Sequence, residues 1–468
     1  MNKILILSFT FSLLFLTNLS GQKQKSIFSF PKIEKLDLTT EQSKSLSKHT
    51  RNENFLDYTF VKIGDIENYQ DNGVITFMLP NNREIIQAKA NLIESYEDGS
   101  FLWSGDLVNK DGTIILQKES GGIFGRVTIG DEIYSILDFE DKLSLIAKSD
   151  KSKLSRHICF DIKDDNIVNL KQDNQNSNKD LKSMTCTTPV RIAVYFTPEA
   201  AASTNVSSLS SMGVTDLNIS LNNVGIPFSI YRFELAAVRS LPNFNQTNNV
   251  GDDLREFIRI GELNDLRGNL QADLAILLTN SNYGDNNGNT IFGAAFNNAL
   301  VNETRAYGIV EVDANTSRKT FAHEVAHIMG LKHHDDDVDD LAHSPFYARG
   351  FFTDGMPTIA SGGQETRHNY FSTDGLRVNG NQMGTPWFDA NRHLRETVCR
   401  IANLNPYNPF HVSISGPTFG YENVRYTWRA SAPYCSGRRY RWEVSINGFN
   451  YYTVSNSSRS YFEKNAPK

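Results

Sequence analysis

No segment after residue 21 approaches eighteen consecutive apolar residues, which excludes a membrane-spanning helix from the body of the chain. An excess of basic residues is missing too. The 47 Lys and Arg face 53 Asp and Glu, a formal net charge of −6, and that balance gives no support to a nucleic-acid partner. Cysteine is scarce, with four in 468 residues, which allows three full disulfide connectivities. What opens the chain is different. Met1-Asn2-Lys3 leads into an apolar run from Ile4 to Leu16 and then Thr17-Asn18-Leu19-Ser20-Gly21. A basic start, a short apolar stretch and small residues predict a signal peptide over residues 1–21, cut near Ser20 or Gly21. The run is too short to span a bilayer comfortably, so the expected product is secreted and extracellular, with no membrane span. The length admits two to four domains.

The densest chemistry lies in His323-Glu324-Val325-Ala326-His327-Ile328-Met329-Gly330-Leu331-Lys332-His333. His323 and His327 are four apart, so on a helix both imidazoles leave one face. Glu324 follows the first of them, where its carboxylate can reach a metal-activated water without ligating the metal. Gly330 can adopt a positive φ, end the helix and bring His333 round as a third ligand. Three nitrogens leave a fourth tetrahedral position open, the mark of a catalytic rather than a structural zinc. His334 competes with His333 for the third place. An apolar strand is expected over Arg305–Asp313, and Asn315, Thr316 and Ser317 offer caps for the helix that follows.

This HExxHxxGxxH pattern resembles the metzincin clan of zinc endopeptidases. The surroundings are similar to its reprolysin-type branch and to bacterial peptidyl-Asp metalloendopeptidases. Arg191–Ala200 looks like the opening strand of those domains and Ala272–Thr279 like their central strand. Tyr347–Phe351 and Tyr370–Ser372 match segments beyond their zinc motif. The resemblance implies Zn²⁺ on His323, His327 and His333, Glu324 as general base, protein or peptide substrates, and family spacing that favours His333 over His334. It also implies a methionine-bearing turn beneath the zinc. Here the corresponding segment is Thr358-Ile359-Ala360-Ser361, which puts Ala360 at the methionine position. His334 stands where the reprolysin type usually has Asp.

Around that centre the chain divides by composition. Residues 22–160 are β-rich, with alternating segments such as Gly73–Leu79 and Gly112–Gln117, and resemble a propeptide; a permanent N-terminal binding domain is the other reading. Residues 161–185 are Lys, Asp, Asn, Gln and Ser with little to bury, a linker suited to activation by cleavage or serving as a plain tether. Residues 186–405 alternate strand and helix: strands at Val190–Phe196, Phe228–Val238 and Ala272–Thr279, helices at Val206–Asn223, Asp252–Leu266 and Trp387–Asn403. That alternation predicts an α/β domain with a mixed sheet, and the resemblance implies an α/β or α+β zincin-like catalytic domain with an active-site helix. Thr290–Phe296 reads as a short edge strand or as an ordinary hairpin strand; the metzincin resemblance implies that such an edge strand pairs with extended substrate. Residues 410–468 are aromatic and alternating, an immunoglobulin-like β-sandwich too short to be complete, with an extracellular partner expected for it.

The remaining cysteines and carboxylates fit this frame in more than one way. Cys186 and Cys399 stand near the two ends of the catalytic domain and can be bridged. Cys159, ahead of the linker, can serve as a latency thiol on the open zinc position, pair with Cys435, or be buried. Asp335, Asp336, Asp337, Asp339 and Asp340 can bind Ca²⁺, but the EF-hand spacing is absent and a solvated acidic loop is the simpler reading. The sequence therefore predicts a secreted zinc endopeptidase made as a zymogen. The rival is a decayed zinc-binding adhesion protein, against which the retained Glu324 counts.

Overall fold

Strict alternation over short strands makes the N-terminal region a sheet. The computed structural model describes residues 26–150 and 189–405, each with short interruptions, and five strands beyond residue 412. Nine strands run from β1 (Phe28–Ser29) to β9 (Leu143–Ser149), and β3 (Val74–Phe77) through β9 form one antiparallel meander. β2 (Phe55–Ile63) then pairs with β9 and β1 pairs with β2. Along β5 (Phe101–Leu107), β6 (Gly112–Glu119) and β7 (Gly122–Ile129) the two faces separate cleanly. Phe101, Trp103, Ile114, Leu116 and Val127 fill one core. Leu102, Ile115 and Phe124 face the other way, alongside Gln117 and Arg126 in the cross-strand register. Burial on both sides explains why these strands hold so few exposed positions.

The sequence did not announce helix α1 (Thr40–Thr50). Its signal was present: Thr39 Oγ1 accepts from the Gln42 amide at 3.1 Å, and the Gln42 side chain accepts from the Thr39 amide at 3.0 Å. This reciprocal cap is the Thr-x-x-Gln pattern.

The second sheet has the order β11-β10-β12-β14-β13. β10 (Val190–Phe196), β11 (Phe233–Ser240), β12 (Leu274–Thr279) and β14 (Tyr307–Glu311) are parallel; β13 (Gly293–Ala295) is the antiparallel edge. The expected edge strand is thus shorter than Thr290–Phe296, and the strand expected from Phe228 begins at Phe233. Helix α2 (Pro198–Ser203) is capped by Thr197, and α3 (Val206–Asn223) by the Asn205 side chain. Helix α4 (Val250–Leu263) starts two residues before its expected bound, because Asn249 accepts from the amides of Gly251 and Asp252.

α3 is buried from Ser208 to Leu221 on every side. One side packs on β11 and on helix α5 (Thr320–Ile328). The other side receives the N-terminal sheet: Met212 and Ile219 pack with Leu92, Leu102, Ile115 and Phe124. Its polar residues are matched, with Ser211 donating to Glu119 at 2.8 Å and Thr215 to Gln117 at 3.3 Å. Burying an apolar side chain of this size contributes about 1.5–3 kcal/mol. Six of them outweigh the polar contacts as the source of adhesion.

Helix α6 (Ala390–Ile401) closes this unit, capped by Asp389 and shorter than Trp387–Asn403. A second unit, Pro406–Lys468, contains a three-stranded antiparallel sheet and a separate two-stranded one. Among the described residues no helix is long and apolar enough to cross a membrane. The proposed signal peptide, Cys159, the linker, Cys186, Asp336–Asp340 and Cys435 lie outside the described residues.

Candidate metal centre

α5 does not begin as the sequence suggested. Asn315, Thr316 and Ser317 lie outside the described residues, and the residue that starts the helix is Lys319, at φ 56° and ψ 37° with no side-chain cap. A left-handed lysine costs about 1 kcal/mol or more against glycine, so its surroundings hold it there. Its ammonium is buried and donates to the Arg367 carbonyl. Burial pushes that ammonium down to about 7, with Arg126 and Arg367 acting in the same direction and Asp216 against.

Four residues on, the helix presents His323 and one turn later His327. The chain then reverses at Gly330, whose φ of +93° is open to glycine. A Cβ there would also stand 2.8 Å from His393 Nε2, so space as well as conformation demands glycine. The reversal delivers His333. Its Nε2 lies 3.1 Å from that of His327 and 3.2 Å from that of His323, and the first two are 3.0 Å apart.

Second contacts orient the rings. His323 Nδ1 donates to the Ile359 carbonyl at 2.8 Å and His327 Nδ1 to the Leu331 carbonyl at 2.7 Å. With their Nδ1 protons committed, both rings aim Nε2 lone pairs at one point. Such nitrogens repel unless a cation lies among them. A tetrahedral zinc bound at about 2.0–2.1 Å needs its nitrogens about 3.3 Å apart, within a few tenths of an ångström of the spacing found. The cluster fits a metal ion.

Glu324 is fully buried, and a Cβ on Gly293 would fall 2.6 Å from its Oε1. The missing side chain at 293 therefore lets the carboxylate lie against edge strand β13. The turn Thr358–Ser361, closed by the Ser361 amide on the Thr358 carbonyl at 3.0 Å, lies under His323 through Ile359, with Ala360 buried in the core beside it. His334 turns elsewhere, stacking on Phe352 with ring centres 5.5 Å apart.

The family model for reprolysin-like metallopeptidases of family M12B matches residues 210–334, from within α3 through the three histidines. The peptidyl-Asp metalloendopeptidase of Xanthomonas campestris pv. campestris is 23% identical over 354 residues, which covers 68% of this chain and 79% of that one. Its namesake from Stenotrophomonas maltophilia is 23% identical over 351 residues, with 68% and 80% covered. This chain is a zinc metalloendopeptidase whose residues 210–334 are similar to the reprolysin-like family. Among solved structures, metalloproteinase-II from Bacteroides fragilis aligns with a TM-score of 0.40 and 12% identity, over 56% of this chain and 82% of that one.

Three groups near the site escaped the sequence reading. His393 of α6 is buried and donates from Nε2 to the Met329 carbonyl at 3.0 Å, bracing the chain reversal; burial holds its pKa below the usual histidine value. Asp216 of α3 accepts from Arg126 of the N-terminal sheet, Nη1 to Oδ2 being 3.1 Å and Nη2 closing on Oδ1. Arg367 donates from Nε to the Ser361 carbonyl at 3.2 Å. None has a local motif that could have revealed it. Cys399 in α6 is disulfide-bonded.

Proposed function

We propose that the chain is the precursor of a secreted endopeptidase in which His323, His327 and His333 hold the zinc and Glu324 is the general base. The observation that carries this reading is the convergence of three Nε2 atoms within 3.2 Å, beside a buried carboxylate. Zinc held there supplies a Lewis acid that polarises a scissile carbonyl and makes water acidic near neutral pH. The remaining work falls to the protein. His323 and His327 stay neutral with Nδ1 protonated, so acid competes for their lone pairs and weakens metal affinity. Glu324 takes a proton at its carboxylate as water attacks and returns it to the leaving amine. A peptide laid antiparallel along the outer edge of β13 would pass beside that carboxylate, because Gly293 offers no side chain to separate them.

The precursor reading rests on the N-terminal sheet seated against α3 and on the burial of His323 and Glu324 in the full-length chain. The names of the relatives, all peptidases, do not favour the decayed binding protein. The test is a casein or gelatin zymogram of the nicked protein with and without a chelator. Clearing that disappears with the chelator and returns with added zinc is expected. Chelator-resistant clearing, or none with zinc bound, would overturn the reading.

A further inference from the structure

The Arg126–Asp216 pair is 2% and 1% exposed and joins residues 90 positions apart. It lies away from the three imidazoles, yet a continuous set of contacts connects them. The Asp216 carboxylate also accepts from Asn369 Nδ2 at 2.8 Å. Two residues earlier, the Arg367 carbonyl accepts from Lys319 Nζ, and Arg367 Nε holds the Ser361 carbonyl. Ser361 closes the turn whose Ile359 carbonyl orients His323. Lys319 completes the circuit from the other side, since its own carbonyl accepts from the His323 amide at 3.1 Å.

In this buried region Lys319 is opposed by the charges of Arg126 and Arg367 and favoured by that of Asp216. Arg126, which already holds Asp216, and Lys319 can compete for that carboxylate. With both arms of Arg126 on Asp216, Lys319 turns to the Arg367 backbone and ties the turn beneath His323.

We propose that Arg126 is a positioning residue for the zinc site, supplied by the N-terminal sheet. By claiming Asp216 it leaves Lys319 to anchor the Arg367–Ser361 segment under His323. When the sheet is absent or Arg126 is removed, Lys319 transfers to Asp216, the Arg367 carbonyl loses its donor, and the turn loosens. The surface of α3 around Asp216 is therefore a docking site for the chain's own N-terminal sheet that is wired to the metal. The apolar patch of Leu92, Leu102, Ile115 and Phe124 supplies adhesion, and the ion pair supplies register.

This inference rests on the zinc reading above, and the experiment separates the two. Zinc release from the zinc-loaded full-length chain is followed with a competing chelator and a zinc indicator. Arg126→Met is expected to release zinc about tenfold faster, the usual size of an outer-contact effect. Arg126→Lys should show a smaller acceleration. Adding Asp216→Asn to Arg126→Met removes the carboxylate that captures Lys319, and should return release to within about twofold of wild type. A general loss of structure would not be rescued by this second change. Unchanged release in Arg126→Met, or a double variant no better than the single, overturns the proposal. Hydrogen exchange at the amides of 320–328 gives a readout that needs no metal, and Arg126→Lys serves there if the Met variant does not fold. Faster exchange supports the proposal and unchanged exchange overturns it. A wild-type chain that binds no zinc would instead overturn the functional reading, while exchange would still judge the coupling.

Discussion

The two ends of helix α5 are built by opposite means. At its C-terminal end everything is local: Gly330, three residues past His327, turns the chain, and His333 arrives within six residues of His327. At its N-terminal end nothing is local. Lys319 sits in a left-handed conformation, held by a carbonyl 48 residues away and coupled to Asp216 and, through it, to Arg126 in another sheet. The first end is a motif that a sequence can carry whole. The second is an agreement among distant segments that exists only after folding. A metal site can therefore be complete in its ligands and still depend on a region that contributes none.

The largest expected effect lies between the two ends and tests neither. Glu324→Gln removes the proposed base and spares both anchors, so turnover should fall about 10²–10⁴-fold with zinc content unchanged. Wild-type-like proteolysis by the zinc-loaded variant would remove Glu324 from the mechanism. The C-terminal end is sharpened next by comparing His333→Ala with His334→Ala. The former should lower zinc occupancy at least tenfold and the latter little, since His334 stacks on Phe352. Equal losses on metal analysis would put the ligand register in error.

Gly330→Ala breaks the same end through its backbone. A positive φ and a Cβ 2.8 Å from His393 Nε2 together should cost about 1–3 kcal/mol in urea unfolding. A neutral outcome would mean that the reversal does not depend on glycine. The smallest effect concerns the distant support. Asp138 lines a cavity of about 40 Å³ with Phe124, Arg126, Ser208 and Met212, where the sheet meets α3. Burial raises its pKa to about 6. Its unfolded value is near 3.9, so the folded chain holds the extra proton between those values. Stability therefore falls as pH rises from about 4 to 6, and the penalty is fully present above 6. Asp138→Asn should add about 1 kcal/mol at pH 7, after allowance for its partial exposure, and nothing at pH 4. A gain that ignores pH would show that the carboxylate is not desolvated at this junction.

Much of the architecture could be read ahead of the structure. β10 and α3 keep the bounds read from the sequence, because a strand apolar but for Arg191 and an Asn cap are self-contained signals. The clustering of three histidines follows from helical spacing and one glycine. Lys319 as the start of α5 was not legible, since Asn315, Thr316 and Ser317 offered better caps and tertiary contacts prevailed over propensity. Neither was the role of Asp216, because a single Asp inside a Ser- and Asn-rich helix shows no partner until the sheet is in place. The short β13 and the trimmed α6 reflect ends that hydrogen bonding decides and composition does not.

The meander of β3 to β9 has a consequence for the order in which the molecule is made. Each of its strands pairs with the one just before it, so the sheet closes through short-range contacts that form quickly. The β10, β12 and β14 pairing is parallel and spans long crossovers, which close slowly. Synthesis runs in the same direction, N-terminal region first. The face bearing Leu102, Ile115, Phe124 and Arg126 is thus expected to form ahead of the parallel sheet, and His323, His327 and His333, far downstream, to come together last on a platform already standing.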